Sequence, residues 1–380
     1  YQIYGAVAGD QFGFSLALLN DFNGDSIGEI CSSAPMADPH SLNAAGVIIA
    51  IYGGMESPTA IPTVMPTIIP SYIPTVVPTV APTVLPSSGT RYVDMGAWSS
   101  NPTVGFHVSG AEAEDRLGWR ISNAGDVNKD GYHDILIGAP YSDPLNRGAN
   151  SGAVYVILGR LGGVPDIDTA SLVEAEGIKI FGTAQSKLGI SVSGAGDVNG
   201  DGVDDIIAGA EDETSPSGAV GVGMAVILFG KLSIWTDIDM ANFTTSDELG
   251  YRVFGRNSYD KLGCSVSRAG DINGDGRADI IIGVLAADLP ALPDKGNAYC
   301  FFGRNSTVGD IDLYSYALNT ATEFRIIGAD SYDFSGIVVA GGIDLNNDSY
   351  SDVLVASYAR DYVYVIFGKD SSLGYTNLGD

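Results

Sequence analysis

A nine-residue pattern of oxygen-bearing side chains recurs five times in this 380-residue chain: DFNGDSIGE from Asp21, DVNKDGYHD from Asp126, DVNGDGVDD from Asp197, DINGDGRAD from Asp271 and DLNNDSYSD from Asp344. Calcium is a hard cation that takes six to eight oxygens, best supplied by carboxylates, amides and backbone carbonyls on a tight loop. Positions 1, 3, 5 and 9 of the pattern offer side-chain oxygens, and the carbonyl at position 7 completes the set. The first loop offers Asp21, Asn23, Asp25, Glu29 and the carbonyl of Ile27. The second offers Asp126, Asn128, Asp130, Asp134 and the carbonyl of Tyr132. Asp197, Asn199, Asp201, Asp205 and Val203 follow in the third, and Asp271, Asn273, Asp275, Asp279 and Arg277 in the fourth. The fifth has Asp344, Asn346, Asp348, Asp352 and Tyr350. Gly at position 6 permits the sharp turn in the middle three loops; Ser26 and Ser349 replace it in the outer two, where weaker binding is expected.

A single Asp-Asn-Gly stretch would read as an ordinary turn. Five copies with the same oxygen-bearing positions do not. An EF-hand is excluded because an apolar β-branched run follows each loop and position 12 is never Glu. The expected cofactor is Ca2+, up to five ions, with a structural role, since all three carboxylates of each site are committed to the ion. Five such ions would shift the formal net charge from −27 to −17.

That charge, 19 Lys and Arg against 46 Asp and Glu, speaks against nucleic acid and against anionic membrane surfaces. His40, His107 and His133 are the only histidines, and no GxSxG, HExxH or P-loop motif is present. No catalytic residue is assigned, and the chain is not expected to be an enzyme. Cys31, Cys264 and Cys300 lie in apolar strand-like stretches and read as core residues, with a local disulfide between Cys264 and Cys300 left open. No apolar run reaches the length of a membrane helix, and a chain beginning at Tyr1 is expected to have been processed or trimmed.

The elements that position the loops repeat with them. Successive loops from the second onward start 71, 74 and 73 residues apart. The first interval is 105, and removing the 34-residue stretch 57–90 restores 71. Upstream of each loop lies a Phe/Leu-Gly element such as RLGWRISNAG or KLGISVSGAG. Downstream come an apolar strand (DILIGAP, DIIIGV) and a Gly-bounded aromatic strand (GAVYVILGR, GNAYCFFGR). Short β-rich runs punctuated by Gly, with no lasting helical period, predict an all-β protein: about five four-stranded blades arranged as a propeller. The expected repeats are 1–54, 91–160, 161–230, 231–303 and 304–380, forming a single domain with 57–90 as an insertion.

These elements resemble the FG-GAP repeats of integrin α-chain β-propellers. The resemblance covers the chain except 57–90 and implies a calcium-binding propeller with an extracellular setting. The Gly-Ala-Pro element is intact at Gly138-Ala139-Pro140 and becomes Ser-Ala-Pro at Ser33; five repeats are counted where the integrin propeller has seven. Some FG-GAP proteins are phospholipases, but the resemblance places their chemistry in a separate domain.

Residues 58–86 carry Pro at every fourth position, in units such as PTAI, PTVM and PTII. Such a density favours extended or polyproline II backbone, and at ~3.1 Å per residue the segment would reach roughly 90 Å. O-linked sugar is expected on Thr59, Thr63, Thr67, Thr75, Thr79 and Thr83, and N-linked sugar at the sequons of Asn242 and Asn305. The segment resembles Pro/Thr-rich repeats of cell-wall and surface glycoproteins. The function expected is that of an extracellular or cell-surface, calcium-stabilised structural or adhesive glycoprotein. Self-association into a filament with 57–90 as connector is a further expectation, and a carbohydrate-binding, lectin-like propeller is the alternative.

Overall fold

The computed structural model describes residues 2–4, 9–39, 43–53, 92–94, 105–144, 147–232, 236–287, 294–305, 309–359, 361–369 and 376–378. The Pro/Thr segment, with its six candidate threonines, lies outside them. Among the described residues there is no α-helix.

The chain runs through β1 (Gln2–Tyr4), β2 (Leu16–Leu18), β3 (Ile30–Ala34), β4 (Val47–Ile51), β5 (Tyr92–Asp94) and β6 (Gly105–Ser109). It continues with β7 (Arg120–Gly125), β8 (Asp134–Ala139), β9 (Ala153–Ile157), β10 (Ile167–Asp168) and β11 (Gly177–Phe181). Next come β12 (Leu188–Gly196), β13 (Asp205–Ala210), β14 (Met224–Leu228), β15 (Ile238–Asp239) and β16 (Gly250–Phe254). A further set comprises β17 (Leu262–Gly270), β18 (Asp279–Val284), β19 (Asn297–Phe301), β20 (Ile311–Asp312) and β21 (Glu323–Ile327). The last are β22 (Ser335–Ile343), β23 (Asp352–Ser357), β24 (Tyr362–Ile366) and β25 (Thr376–Asn377).

These strands make five successive sheets and one isolated pair. The sheets are β2-β3-β4-β6-β10, β7-β8-β9-β11-β15, β12-β13-β14-β16-β20, β17-β18-β19-β21-β25 and the shorter β22-β23-β24; β1 and β5 pair with each other. The first four strands of each complete sheet are antiparallel neighbours, as expected of a propeller blade. Each complete blade also carries a two-residue fifth strand that runs parallel to the fourth, as Ile180 and Phe181 do against Ile238 and Asp239. The fourth strand comes from the segment that leads into the next repeat, so the sheets are out of phase with the repeats and neighbouring blades interlock. The stretch 57–90 accordingly falls between β4 and β6, the third and fourth strands of one sheet.

Second strands such as DILIGA and DIIAGA are apolar after their leading Asp because both of their faces are covered, and every residue in them is buried. Four hydrophobic clusters fill the spaces between consecutive sheets. Cys31, Ile48 and Phe106 of the first sheet meet Ile135, Ile137 and Tyr155 of the second. Leu136, Val154 and Val156 on the opposite face of that sheet meet Ile206, Ala208 and Val226 of the third. The same alternation continues through the fifth sheet. Cys31 and Cys300 are buried core residues, and all three cysteines are free thiols, so no Cys264–Cys300 disulfide forms.

Blades approach one another backbone to backbone at the Phe/Leu-Gly element. A Cβ on Gly209 would lie 1.9 Å from the carbonyl oxygen of Gly263, and one on Gly283 would lie 2.0 Å from that of Gly336. No side chain fits there without separating the blades. Gly209→Val is therefore expected to lose about 3 kcal/mol of stability or more in denaturant unfolding. Gly218→Asn, at a left-handed turn with open space around it, is expected to stay within about 1 kcal/mol of the parent.

Candidate metal centres

Each acidic pattern forms the connection between the first and second strand of a blade. A β-bulge at the end of the first strand in the last four blades, for example between Asn123 and Gly125 or Arg268 and Gly270, turns the chain into the loop. Bulges re-aim the backbone in this way at functional rims.

Within the loops the same hydrogen bonds recur. Asp126 Oδ1 accepts the Asp130 N–H at 3.0 Å and its Oδ2 accepts the Gly131 N–H at 2.9 Å. Asn128 Oδ1 accepts the Asp130 N–H at 3.0 Å, and Asp130 Oδ1 accepts the Tyr132 N–H at 2.9 Å. Equivalent sets surround Asp21, Asp197, Asp271 and Asp344. Positions 1, 3 and 5 thus gather their oxygens on the inside of one tight turn. The carbonyl-bearing position 7 (Ile27, Tyr132, Val203, Arg277, Tyr350) sits where its N–H is held by the carboxylate of position 5.

Position 9 behaves differently. Asp134, Asp205, Asp279 and Asp352 are fully buried. Each clamps two distant backbone donors. One oxygen accepts the N–H of position 2 (Val127, Val198, Ile272, Leu345) at 2.8–2.9 Å. The other accepts the N–H of the glycine that closes the third strand (Gly159, Gly230, Gly303, Gly368) at 2.8–3.0 Å. This second contact ties the loop to a strand about 25 residues on, and it was not read from the sequence. Its trace was the glycine that ends every aromatic strand.

Burial drives these acids towards their neutral form. Asp205 is pushed up to about 8 and Asp279 to about 7, and the nearby carboxylates at positions 1 and 5 add to the effect at Asp279. Asp134 is raised well above the usual carboxylate range for the same reason, desolvation first. A divalent cation beside such a group reverses this preference, because it stabilises the ionised carboxylate.

The first loop carries the clearest cradle. Oxygens of Asp21, Asp25 and Glu29 lie within 4.8 Å of one another, the one such three-acid group among the described residues. Glu29 Oε2 accepts the Phe22 N–H at 2.8 Å, whereas its Oε1 is buried with only the Gly53 N–H near it and no hydrogen bond of ordinary geometry. Burial raises the Glu29 acid to about 7, with Asp25 and Asp21 contributing repulsion. A buried, under-satisfied carboxylate beside two others fits a cation, which would stabilise its ionised form. The longer side chain of Glu29 brings its carboxylate within reach of Asp21 and Asp25 while staying near Gly53, the third-strand glycine of its own blade.

The loops also stitch the blades together. Arg160, Lys231, Arg304 and Lys369, each following a third-strand glycine, donate their N–H to the position-2 carbonyl of the preceding loop: Phe22, Val127, Val198 and Ile272. His133, Ala278 and Ser351 likewise donate to the carbonyls of Asp21, Asp197 and Asp271. Of the candidate glycosylation sites, Asn242 and Asn305 are both exposed. Their side chains bond Asp239 at 2.7 Å and Arg277 at 2.6 Å.

A family profile described as FG-GAP repeat matches residues 117–157, 188–228 and 265–299, which cover the first three strands of the second and third blades and most of the fourth. The chain is 32% identical over 254 residues to phosphatidylinositol-glycan-specific phospholipase D of Bos taurus, a match covering 65% of this chain and 27% of that protein. It is 28% identical over 248 residues to integrin alpha-PS2 of Drosophila melanogaster, covering 63% of this chain and 15% of the integrin. Integrin alpha pat-2 of Caenorhabditis elegans is 40% identical over 103 residues, 27% of this chain and 8% of the relative. The chain therefore spans about a quarter or less of the length of these relatives. Repeated blades, acidic loops between first and second strands, and the profile matches agree: the chain carries FG-GAP repeats, folded as the four-stranded blades of a β-propeller.

Proposed function

We propose that this propeller is an extracellular, calcium-stabilised structural or adhesive module, the subunit of a surface assembly. The observation that carries the metal reading is the buried, under-satisfied carboxylate of Glu29 beside Asp21 and Asp25, in a loop whose plan recurs four more times. Five ions would neutralise part of a formal charge of −27 and hold the blade connections rigid. The integrin relatives support an adhesive, surface-facing role. The phospholipase relatives support an extracellular setting, and only 27% of the bovine enzyme's length is shared, so no turnover is assigned here. In the same reading the Pro/Thr stretch 57–90 carries O-linked sugar.

Chelation is expected to lower the thermal midpoint by ten degrees or more in calorimetry, and Asp201→Ala to remove one site while the other loops still bind. An unchanged midpoint with and without chelator would overturn the structural-metal reading.

The raised acids give that experiment a pH signature. Glu29, Asp205 and Asp279 titrate near 7, 8 and 7 in the fold, above their ordinary range, so the ion-free protein holds more protons folded than unfolded. Its stability is then fully present below pH ~4 and falls as pH rises towards ~8. Calcium binds the deprotonated groups, so with millimolar calcium the trend should reverse and stability should rise from pH 6 to 8. Melting curves in chelator and in calcium across that range check both signs.

Intact mass measurement of native protein is expected to show O-linked sugar on 57–90, since the alternating Thr hydroxyls and apolar pairs would otherwise form an uncovered apolar ribbon. The bare peptide mass would refute it.

A further inference from the structure

Neighbouring acidic loops touch, and the contact runs from position 8 of one loop to the start of the loop before it. His133, Ala278 and Ser351 hold position 8 in the second, fourth and fifth loops. Each donates its N–H at 2.9–3.0 Å to the carbonyl of position 1 of the preceding loop: Asp21, Asp197 and Asp271. The glycine directly before position 1 makes room for this approach. Gly125, Gly196 and Gly270 all have a left-handed φ, between +73° and +85°. A Cβ on Gly196 would lie 2.8 Å from that of Ala278, and one on Gly125 or Gly270 would overlap the side chain of Asp204 or Ser351. Those residues again hold position 8 of the following loop.

The junction of the second and third loops is built differently. There position 8 is Asp204, the one acidic residue at that position in the five loops. Its Oδ2 accepts the Asp126 N–H at 2.9 Å, so a carboxylate of the third loop holds the backbone of the residue that opens the second. Another contact crosses the same junction. Position 4 is glycine in the first, third and fourth loops, where it lies against the long position-7 side chain of the next loop: Tyr132, Arg277 and Tyr350. In the second loop position 4 is Lys129, and position 7 of the next loop is the shorter Val203. The Lys129 Nζ reaches across to the third loop, where a Cβ on Gly202 would lie 3.1 Å from it.

Asp204 stands between the two residues that would hold the third loop's ion from that side, Val203 through its carbonyl and Asp205 through its carboxylate. Fixing both neighbours fixes the Asp204 carboxylate. Asp126 offers its own side chain to the second loop's site while Asp204 holds its N–H. Each site therefore orders a contact that the other uses, and such coupling is reciprocal. Long-range charge works in the opposite sense, because an ion in one loop lowers the negative potential at the next. Salt screens that effect and leaves the hydrogen bond in place.

We propose that Asp204 is a positioning residue for the second metal centre, although it belongs to the third, and that filling either loop strengthens binding at the other. This inference rests on the calcium reading above and adds how two of its sites communicate.

Amide hydrogen exchange of the full chain, read by mass spectrometry across a calcium titration at about 0.5 M salt, follows segments 126–134 and 197–205 separately. Asp204→Ala is expected to raise the calcium midpoint of both segments about fivefold or more. Asp204→Asn, which keeps an acceptor oxygen, should restore most of that loss. With the second loop disabled by Asp130→Ala, the midpoint of 197–205 should no longer respond to Asp204→Ala. Unchanged exchange in β9 and β14 shows in the same data that each variant is folded. A response of 197–205 that persists without the second loop would overturn the proposal by making Asp204 a ligand of its own loop. Midpoints unmoved by Asp204→Ala, in a chain that calcium does protect, would overturn it too and leave the calcium reading intact. A parent chain whose exchange calcium does not alter would remove that reading and this inference with it.

Discussion

The architecture turns on a carboxylate placed where no water reaches it. Position 9 of each complete pattern sits at the start of the second strand, inside the blade, and accepts N–H groups from its own loop and from the end of the third strand. Burying an ionised acid costs several kcal/mol unless donors or a cation compensate. Two backbone donors compensate in part, and the raised proton affinity of Asp134, Asp205 and Asp279 shows that the compensation is incomplete. The three strands and the loop must therefore keep one relative geometry, because any drift leaves a buried charge with one donor fewer. From that geometry follow the third-strand glycine, whose N–H must approach the carboxylate, and the backbone hydrogen bonds from the next residue to the neighbouring loop.

The loops, their spacing and the two apolar strands that follow each were legible because they are local. Five oxygen-bearing positions within nine residues, followed by β-branched runs, leave few structures open. Less was legible wherever the partner lies far along the chain. The fourth strand of each blade (GFHVS, GIKIF, GYRVF, EFRII) is short and follows a polar spacer of variable length, so by pattern alone it belongs to the repeat it precedes. Only the sheet register shows it completing the repeat before. The two-residue parallel strands at Ile167, Ile238 and Ile311 are too short for any periodicity to register. The double role of position 9 was hidden for the same reason, since its second donor lies in another strand. The convergence at Asp21, Asp25 and Glu29 ran against expectation in one respect: the loop whose Glu departs from the pattern is the one whose three acids draw together.

Glycine placement separates two kinds of constraint. In the acidic loops it serves turn geometry, as at Gly131, where open space surrounds the residue. At Gly209, Gly263, Gly283 and Gly336 it serves contact, since the backbones of adjacent blades touch and no Cβ fits. The second kind fixes inter-blade distance with no side chain to adapt, so each interface copies the last. Ser33 occupies the corresponding slot in the first blade and Ala356 in the fifth, so the close-contact rule is relaxed in the blades at the two ends.

Stacks of near-identical units need terminal units with a polar outer face if they are to stop. Among the described residues the outer faces of the first and fifth sheets keep the apolar residues of the internal positions, and β24 pairs with β23 alone. An edge strand beside an apolar face invites pairing unless charge or a bulge blunts it. The charge exists elsewhere: the chain's formal −27, with fifteen of its carboxylates at the ligand positions of the acidic loops, opposes the approach of other acidic surfaces by long-range repulsion. Filling five loops with divalent ions would bring it to −17 while leaving the apolar ends untouched. Ion binding would then relax the repulsion among the loops, an effect that acts at a distance and that salt screens, while the apolar contacts between blades depend on neither.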